Sequence, residues 1–152
     1  MHGVSFRRAT VADLPALLRL LVDDAVAQAR GGYTAEVTAA VRLAFDEIER
    51  DPSNELWLGE GDGEVVAMLQ LTLIPGLSRG GMKRALVEAV RVRADLRGQR
   101  IGEALMHHVE QRAKAAGCGL IQLTTDRQRL DAHRFYERLG YAASHLGMKK
   151  KL

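Results

Sequence analysis

The stretch Val90–Met106, V-R-V-R-A-D-L-R-G-Q-R-I-G-E-A-L-M, constrains this chain more than any other. Val90 and Val92, two residues apart, read as the end of a strand. The pattern then changes to helical spacing, with Ile101, Ala104, Leu105, His108, Val109, Ala113 and Ala116 on one face and Gly117 as the stop. The short apolar segment Leu120–Thr124 follows, consistent with a buried strand brought back parallel by a crossover helix. Such a unit points to an α/β protein. Between strand and helix lie Arg97, Gly98, Gln99, Arg100, Ile101 and Gly102. A strand passing through such a loop into a helix N-terminus leaves backbone N–H groups unpaired in a concave array, and the aligned peptide dipoles add about half a positive charge. The two glycines permit close approach of a ligand, and the arginines carry charge that does not titrate away. The loop therefore suits a phosphate, although the same residues also describe an ordinary basic turn. It has neither the G-x-G-x-x-G of a dinucleotide site nor the G-K-S/T of a P-loop.

Taken in order, the chain opens with a short strand at Val4–Arg8. Thr10, Asp13 and Pro15 start a helix whose Leu14, Leu17, Leu18, Leu21, Val22 and Ala25 share one face, and Gly31-Gly32 end it. Thr34 is expected to cap a second helix with Val37, Val41, Ala44, Phe45 and Ile48 inward, closed by Asp51–Asn54. Glu55–Glu60 and Glu64–Ile74, on either side of Gly61-Asp62-Gly63, predict a hairpin. After a turn at Pro75–Gly81, Ala85–Arg93 reads as a fourth strand with Leu86, Glu88, Val90 and Val92 on one face. A last helix carries Ala132, Phe135, Tyr136 and Leu139 and stops at Gly140. The tail Tyr141–Leu152 is expected to complete the sheet as one or two strands. With no repeat and no linker, residues 1–152 are expected to form one domain with a mixed sheet.

Several functions are disfavoured. No apolar run approaches the roughly 20 residues of a membrane helix, and M-H-G-V-S-F-R-R has no apolar signal core. The one cysteine, Cys118, cannot form an internal disulfide; it is expected to be buried at a strand start and fits a reducing cytoplasm. The net charge of +3 is matched by Lys149, Lys150 and Lys151 alone, and the seven aromatic residues do not interleave with a basic stripe, which argues against nucleic acid. His107 and His108 are adjacent and point apart, and His133 has no partner at metal-ligand spacing, so no metal is expected. No serine has an elbow context and Cys118 has no nearby histidine, so a covalent acyl-enzyme is disfavoured.

The Arg97–Gly102 stretch resembles the pyrophosphate-binding motif of the GNAT superfamily of N-acetyltransferases, Q/R-x-x-G-x-G/A. Arg97 matches its first position and Gly102 its last, while Arg100 stands where the family usually has glycine. That departure matters only if the backbone there needs positive φ, since a first-turn helical conformation accepts arginine without strain. Ala132–Tyr141, A-H-R-F-Y-E-R-L-G-Y, is similar to the family's last helix and following strand. The resemblance implies a mixed, mostly antiparallel sheet with splayed central parallel strands flanked by helices. It implies acetyl-CoA as co-substrate, with its pyrophosphate on Arg97, Gly98, Gln99, Arg100, Ile101 and Gly102. The pantetheine arm would lie beside the backbone of Val90 and Val92, with Thr125 and Asp126 near it and Arg134 toward the ribose phosphate. Thr125 and Asp126 equally fit turn chemistry, and Arg134 a solvated helix face.

The resemblance makes Tyr136 a general acid; from its pattern alone it is a half-buried aromatic. Glu88, in phase with three apolar residues on a central strand, is expected to be desolvated and so raised toward a useful base, or else to pair with a neighbouring cation. The implied reaction is direct acetyl transfer to a primary amine in a ternary complex. Transfer of another acyl group, or a coenzyme-A-binding regulatory module without turnover, are the alternatives. The acceptor would contact Asp23, Asp24, Gly31, Gly32, Tyr33 and the turn Ser78–Lys83. Asp23 and Asp24 would attract a cationic amine or simply be solvated carboxylates. A homodimer is an expectation at family level.

Overall fold

The computed structural model describes residues 3–152; the part of the N-terminal reading that falls on Met1 and His2 lies outside them. In order come β1 (Ser5–Arg8), α1 (Leu14–Val22), α2 (Ala25–Arg30), α3 (Ala39–Arg50), β2 (Asn54–Gly61), β3 (Glu64–Ile74), the single turn α4 (Ser78–Gly81), β4 (Lys83–Val92), α5 (Ile101–Ala115), β5 (Cys118–Leu123) and α6 (Leu130–Arg138). The strands form one sheet in the order β1-β2-β3-β4-β5, antiparallel except for the parallel β4–β5 pair. The crossover that makes that pair parallel is α5, as its periodicity predicts.

The core is built on both faces of β3, which is why its sequence is nearly continuously apolar rather than alternating. Leu69, Leu71, Ala85 and Val87 pack with Leu105, Met106 and Val109 of α5. Met68 points the other way, onto Leu17 and Leu20 of α1 with Leu58. Each of these fully buried aliphatic side chains contributes about 1.5–3 kcal/mol. Between β2 and β3 the two-residue turn Asp62-Gly63 has φ of 52° and 78°, the paired positive values that a tight hairpin requires.

Four expectations change in three dimensions. The first predicted helix is two helices: Asp24 is extended (φ −147°, ψ 111°) and its carboxylate accepts from Val26 N and Ala27 N at 3.1 and 3.4 Å, starting α2 afresh. Thr34 does not cap the next helix. Its hydroxyl accepts from Glu36 N, and Thr38 caps α3 through Val41 N at 3.2 Å, leaving Val37 outside. The tail after Tyr141 forms no strand; residues 142–152 are exposed, and β5 is an edge of the sheet. A local turn, Ser144 N to Ala142 O, takes backbone pairing that a strand would need.

The fourth change positions the site. Leu86, Glu88, Val90 and Val92 do not share a face, because β4 contains a bulge. Gln70 pairs with Glu88 and Met68 with Arg91, so Leu69 alone faces both Ala89 and Val90, and Ala89 takes φ of 54°. One extra residue reverses the alternation. Val90 and Val92 therefore join Val87 against the α5 cluster, while Ala89 packs with the α1 cluster. Pairing between β4 and β5 ends at Val87 and Leu123, although β4 runs on to Val92. Beyond Val87 β4 runs on without a β5 partner, because β5 ends at Leu123.

Candidate active site

The phosphate-cradle candidate sits at the exit of β4. A 3-10 turn at Ala94–Leu96 leads to an extended Arg97, then Gly98 at φ 79° and Arg100 at φ 64°, ψ 13°, before α5 begins at Ile101. Arg100 is the N-cap residue, and no side chain caps the helix. The first helical N–H to reach a carbonyl is that of Ala104, bonded to Arg100 O at 3.1 Å. The amides of Arg100, Ile101, Gly102 and Glu103 thus belong to the uncapped turn and face outward with the positive end of the helix dipole. Gly98 has no atom within 4 Å of where a Cβ would stand, so the loop is open to a ligand there.

The position where the related motif has glycine does need positive φ, and arginine holds it at a cost of about 1 kcal/mol. The Arg100 guanidinium pairs with Glu103 at 2.8 Å on the surface. Arg97, also exposed, donates to Val92 O at 3.3 Å and to Asp23 O at 3.2 Å, which ties the loop to the end of α1. Ile101 is core, 6 % exposed. A Cβ on Gly102 would stand 3.4 Å from Phe135 Cζ and 3.5 Å from Val92 Cγ2, ordinary van der Waals contact, so the first turn of α5 packs against α6 and the end of β4 with room for a methyl group. Gln99 is exposed on the loop.

Tyr136, on α6, is partly buried against the core cluster that also takes in Val90 and Val92. Its ring meets Phe135 and Tyr141 edge-on, at centroid distances of 5.0 and 5.8 Å. Burial pushes the phenol above its usual pKa, against the opposing charges of Arg91 and Arg129. The group therefore holds its proton throughout the neutral range. Tyr141 in turn donates to Glu110 at 3.0 Å, which anchors the aromatic pair.

Around Tyr136 the chain assembles a cluster that local patterns did not single out. Asp24 Oδ2 accepts from Arg129 Nη2 at 2.5 Å and lies 3.2 Å from Arg91 Nε, close enough for ion pairing but misaligned for a hydrogen bond. Burial pushes the Asp24 carboxyl upward, but the Arg129 hydrogen bond, the two arginine charges and the Ala27 amide together hold it below the usual carboxylate range. Asp24 is thus neither a solvated carboxylate nor a free attractor for an amine. Arg91 Nη1 donates to Val90 O at 2.9 Å. The available signal was Arg91 itself, a charge between two valines in a central strand; Arg129 offered none.

The other expected residues are not partners of the Asp24, Arg91 and Arg129 side chains. Glu88 is exposed, so the desolvation expected of it is absent; it ends the β4 stretch paired with β3 before the bulge. Thr125 is exposed just beyond β5. The Asp126 carboxylate pairs with Arg30 of α2 and accepts from Gln128 N at 2.8 Å, while its carbonyl meets His133 Nε2 at 2.7 Å. Arg134 is exposed and pairs with Asp131 within α6. Tyr33 is 41 % exposed. Cys118 begins β5 half-buried, and burial raises its thiol. His108 packs between Phe6, tilted to it at 5.2 Å, and Trp57, edge-on at 4.7 Å, and burial lowers its pKa. Among the described residues no group of three or more His, Cys, Asp or Glu is placed to hold a metal ion, and no helix is long and apolar enough to cross a membrane.

A mixed sheet with one parallel pair, an uncapped helix terminus beside the unpaired end of β4 and a protonated phenol on α6 form the framework of a coenzyme-A-dependent acetyltransferase. The chain belongs to the acetyltransferase (GNAT) family, whose model matches residues 16–141. It is 39% identical over 113 residues to the aminoalkylphosphonate N-acetyltransferase of Salmonella typhimurium strain LT2, covering 74% of this chain and 73% of that protein. Among solved structures, a transcriptional regulator from Bacillus halodurans C-125 superposes with a TM-score of 0.94 at 44% identity, covering 99% of this chain and 100% of that one. Glucosamine-6-phosphate N-acetyltransferase from Arabidopsis thaliana shares the fold with a TM-score of 0.81 at 20% identity, over 99% of both chains.

Proposed function

We propose that this protein transfers an acetyl group from acetyl-CoA to the primary amine of a small aminoalkylphosphonate, by direct attack in a ternary complex. The observation that carries the reading is the uncapped first turn of α5 beside Val92, in the part of β4 that extends beyond its pairing with β5. When bound, acetyl-CoA supplies an activated acetyl thioester. The amides of Arg100, Ile101, Gly102 and Glu103 would hold its pyrophosphate, with Gly98 leaving room for close approach. The β4 backbone at Val90 and Val92, free of β5, would align the arm, with Thr125 across the gap.

An alkyl amine has a pKa near ~10 and must lose a proton before attack. Glu88, open to solvent, takes that proton through water in this reading. Tyr136 holds a proton at neutral pH and delivers it to the departing sulfur. Positioning of the two substrates carries much of the rate. The phosphonate acceptor is supported by the Salmonella relative. A cytoplasmic setting suits a protein with one unpaired thiol.

The Bacillus halodurans relative favours a second reading, a coenzyme-A-binding regulatory module without turnover. Calorimetric titration with CoA, followed by thiol-release assays over a panel of amines that includes 2-aminoethylphosphonate, separates the two. Release with the phosphonate supports the transferase. Tight CoA binding with no release from any amine supports the regulator.

A further inference from the structure

Three chain segments bring their charges to a single oxygen atom beside Tyr136. Asp24 comes from the start of α2, Arg91 from β4 just past its bulge, and Arg129 from the N-cap of α6. The side chains of Asp24, Arg91 and Arg129 are only 7, 13 and 25 % exposed. Two guanidinium groups against one carboxylate leave one positive charge uncompensated in a poorly solvated place. Both carboxylate oxygens are already engaged, Oδ1 by α2 amides and Oδ2 by the arginines, so the negative charge is directed into the protein. The guanidinium forks are not saturated. Among the described residues the Arg91 guanidinium makes one hydrogen bond, to Val90 O, and that of Arg129 one, to Asp24, although each group has five N–H donors. Among the described residues Arg91 Nε is the one buried side-chain donor left without a hydrogen bond, and it faces Asp24; the other unused N–H groups of both forks are not sealed from solvent, so an anion can reach them.

We propose that Arg91 and Arg129, oriented by Asp24, form the subsite for the phosphonate group of the acceptor. The inference rests on the aminoalkylphosphonate reading above and adds to it the residues that select the acceptor. Planar forks bind tetrahedral oxyanions through paired N–H···O bonds, and the three oxygens of a phosphonate can meet two forks at once, where the two of a carboxylate cannot do so fully. The position fits the chemistry: Arg91 lies where β4 runs free of β5, and Arg129 leads into the helix that carries Tyr136. A short alkyl chain anchored here would bring its amine beside the part of β4 that extends past β5. Arg91 and Arg129 thereby act as specificity residues, and Asp24 as the positioning residue behind them.

The test is titration of methylphosphonate into the protein with CoA at saturation, so that the Arg97–Gly102 loop is already filled. It is joined by kcat/KM for 2-aminoethylphosphonate relative to n-propylamine. Arg129→Gln should weaken methylphosphonate about 10- to 100-fold, the equivalent of one or two charge-assisted hydrogen bonds, and lower the kcat/KM ratio by a similar factor. Arg129→Lys keeps the charge opposite Asp24 but loses the fork, and should fall about three- to tenfold, so it decides the matter if the glutamine variant does not fold. Equal methylphosphonate binding by wild type and folded variants, or no binding by wild type, overturns the subsite. An unchanged substrate ratio does the same. If amines are acetylated without preference for the phosphonate, the subsite falls and the transferase stands. If methylphosphonate binds through Arg129 but no amine is acetylated, the subsite stands and the transferase reading falls.

Discussion

Replacing Asp24 by asparagine isolates charge from shape. Asparagine is as good an N-cap as aspartate, so the bonds from Val26 N and Ala27 N can survive and the cap term of about 1 kcal/mol is largely kept. What disappears is the charge facing Arg91 at 3.2 Å and Arg129 at 2.5 Å. Removing one partner from a buried ion pair costs about 3–5 kcal/mol, and the partial exposure of both arginines reduces this to about 2–3 kcal/mol. For a chain of this length that lowers Tm by about 4–12 °C. The cost has a pH signature. The folded-state pKa of Asp24 is depressed, so its contribution is fully present above the ordinary carboxylate pKa of about 4 and fades as pH falls through the lower folded value. Melting curves of wild type and Asp24→Asn should therefore lie apart at pH 7 and converge below pH ~4. A variant that melts within about 1 °C of wild type at pH 7 would refute the account of this cluster.

Three further outcomes are expected. Tyr136→Phe keeps the ring contacts with Phe135 and Tyr141 and should melt close to wild type, while kcat falls about 10²- to 10⁴-fold; steady-state kinetics beside a melting curve decide whether the hydroxyl is more than packing. Gln99→Glu, at an exposed loop position, should leave Tm equal or slightly higher because an anion suits a helix N-terminus, yet weaken CoA about tenfold by repelling the pyrophosphate; titration with CoA reads the effect. Arg100→Gly relieves the left-handed strain at φ 64°, offset in part by the greater freedom of glycine in the unfolded chain, and should raise Tm slightly in a thermal melt; a fall would mean that this conformation is not strained.

Much of this protein was legible without coordinates. The strand-loop-helix at Val90–Met106 and the crossover to β5 define the parallel pair, because the change from period two to period 3.6 is local. The Asp62-Gly63 hairpin was equally plain, since only certain residues tolerate two successive positive φ values. The aromatic face of α6, and with it Tyr136, followed from helical spacing. Tertiary structure decided the rest. Alternation along β4 is a count of residues, and the single bulge at Ala89 reverses it, moving Val90 and Val92 to the other face from Glu88. Asp24 reads from its neighbours as one more helix-surface carboxylate. Only folding brings it to Arg129, 105 residues away, and ends α1 before it. The balance of charge around Tyr136 depends on which distant side chains share a buried oxygen, and no local pattern encodes that.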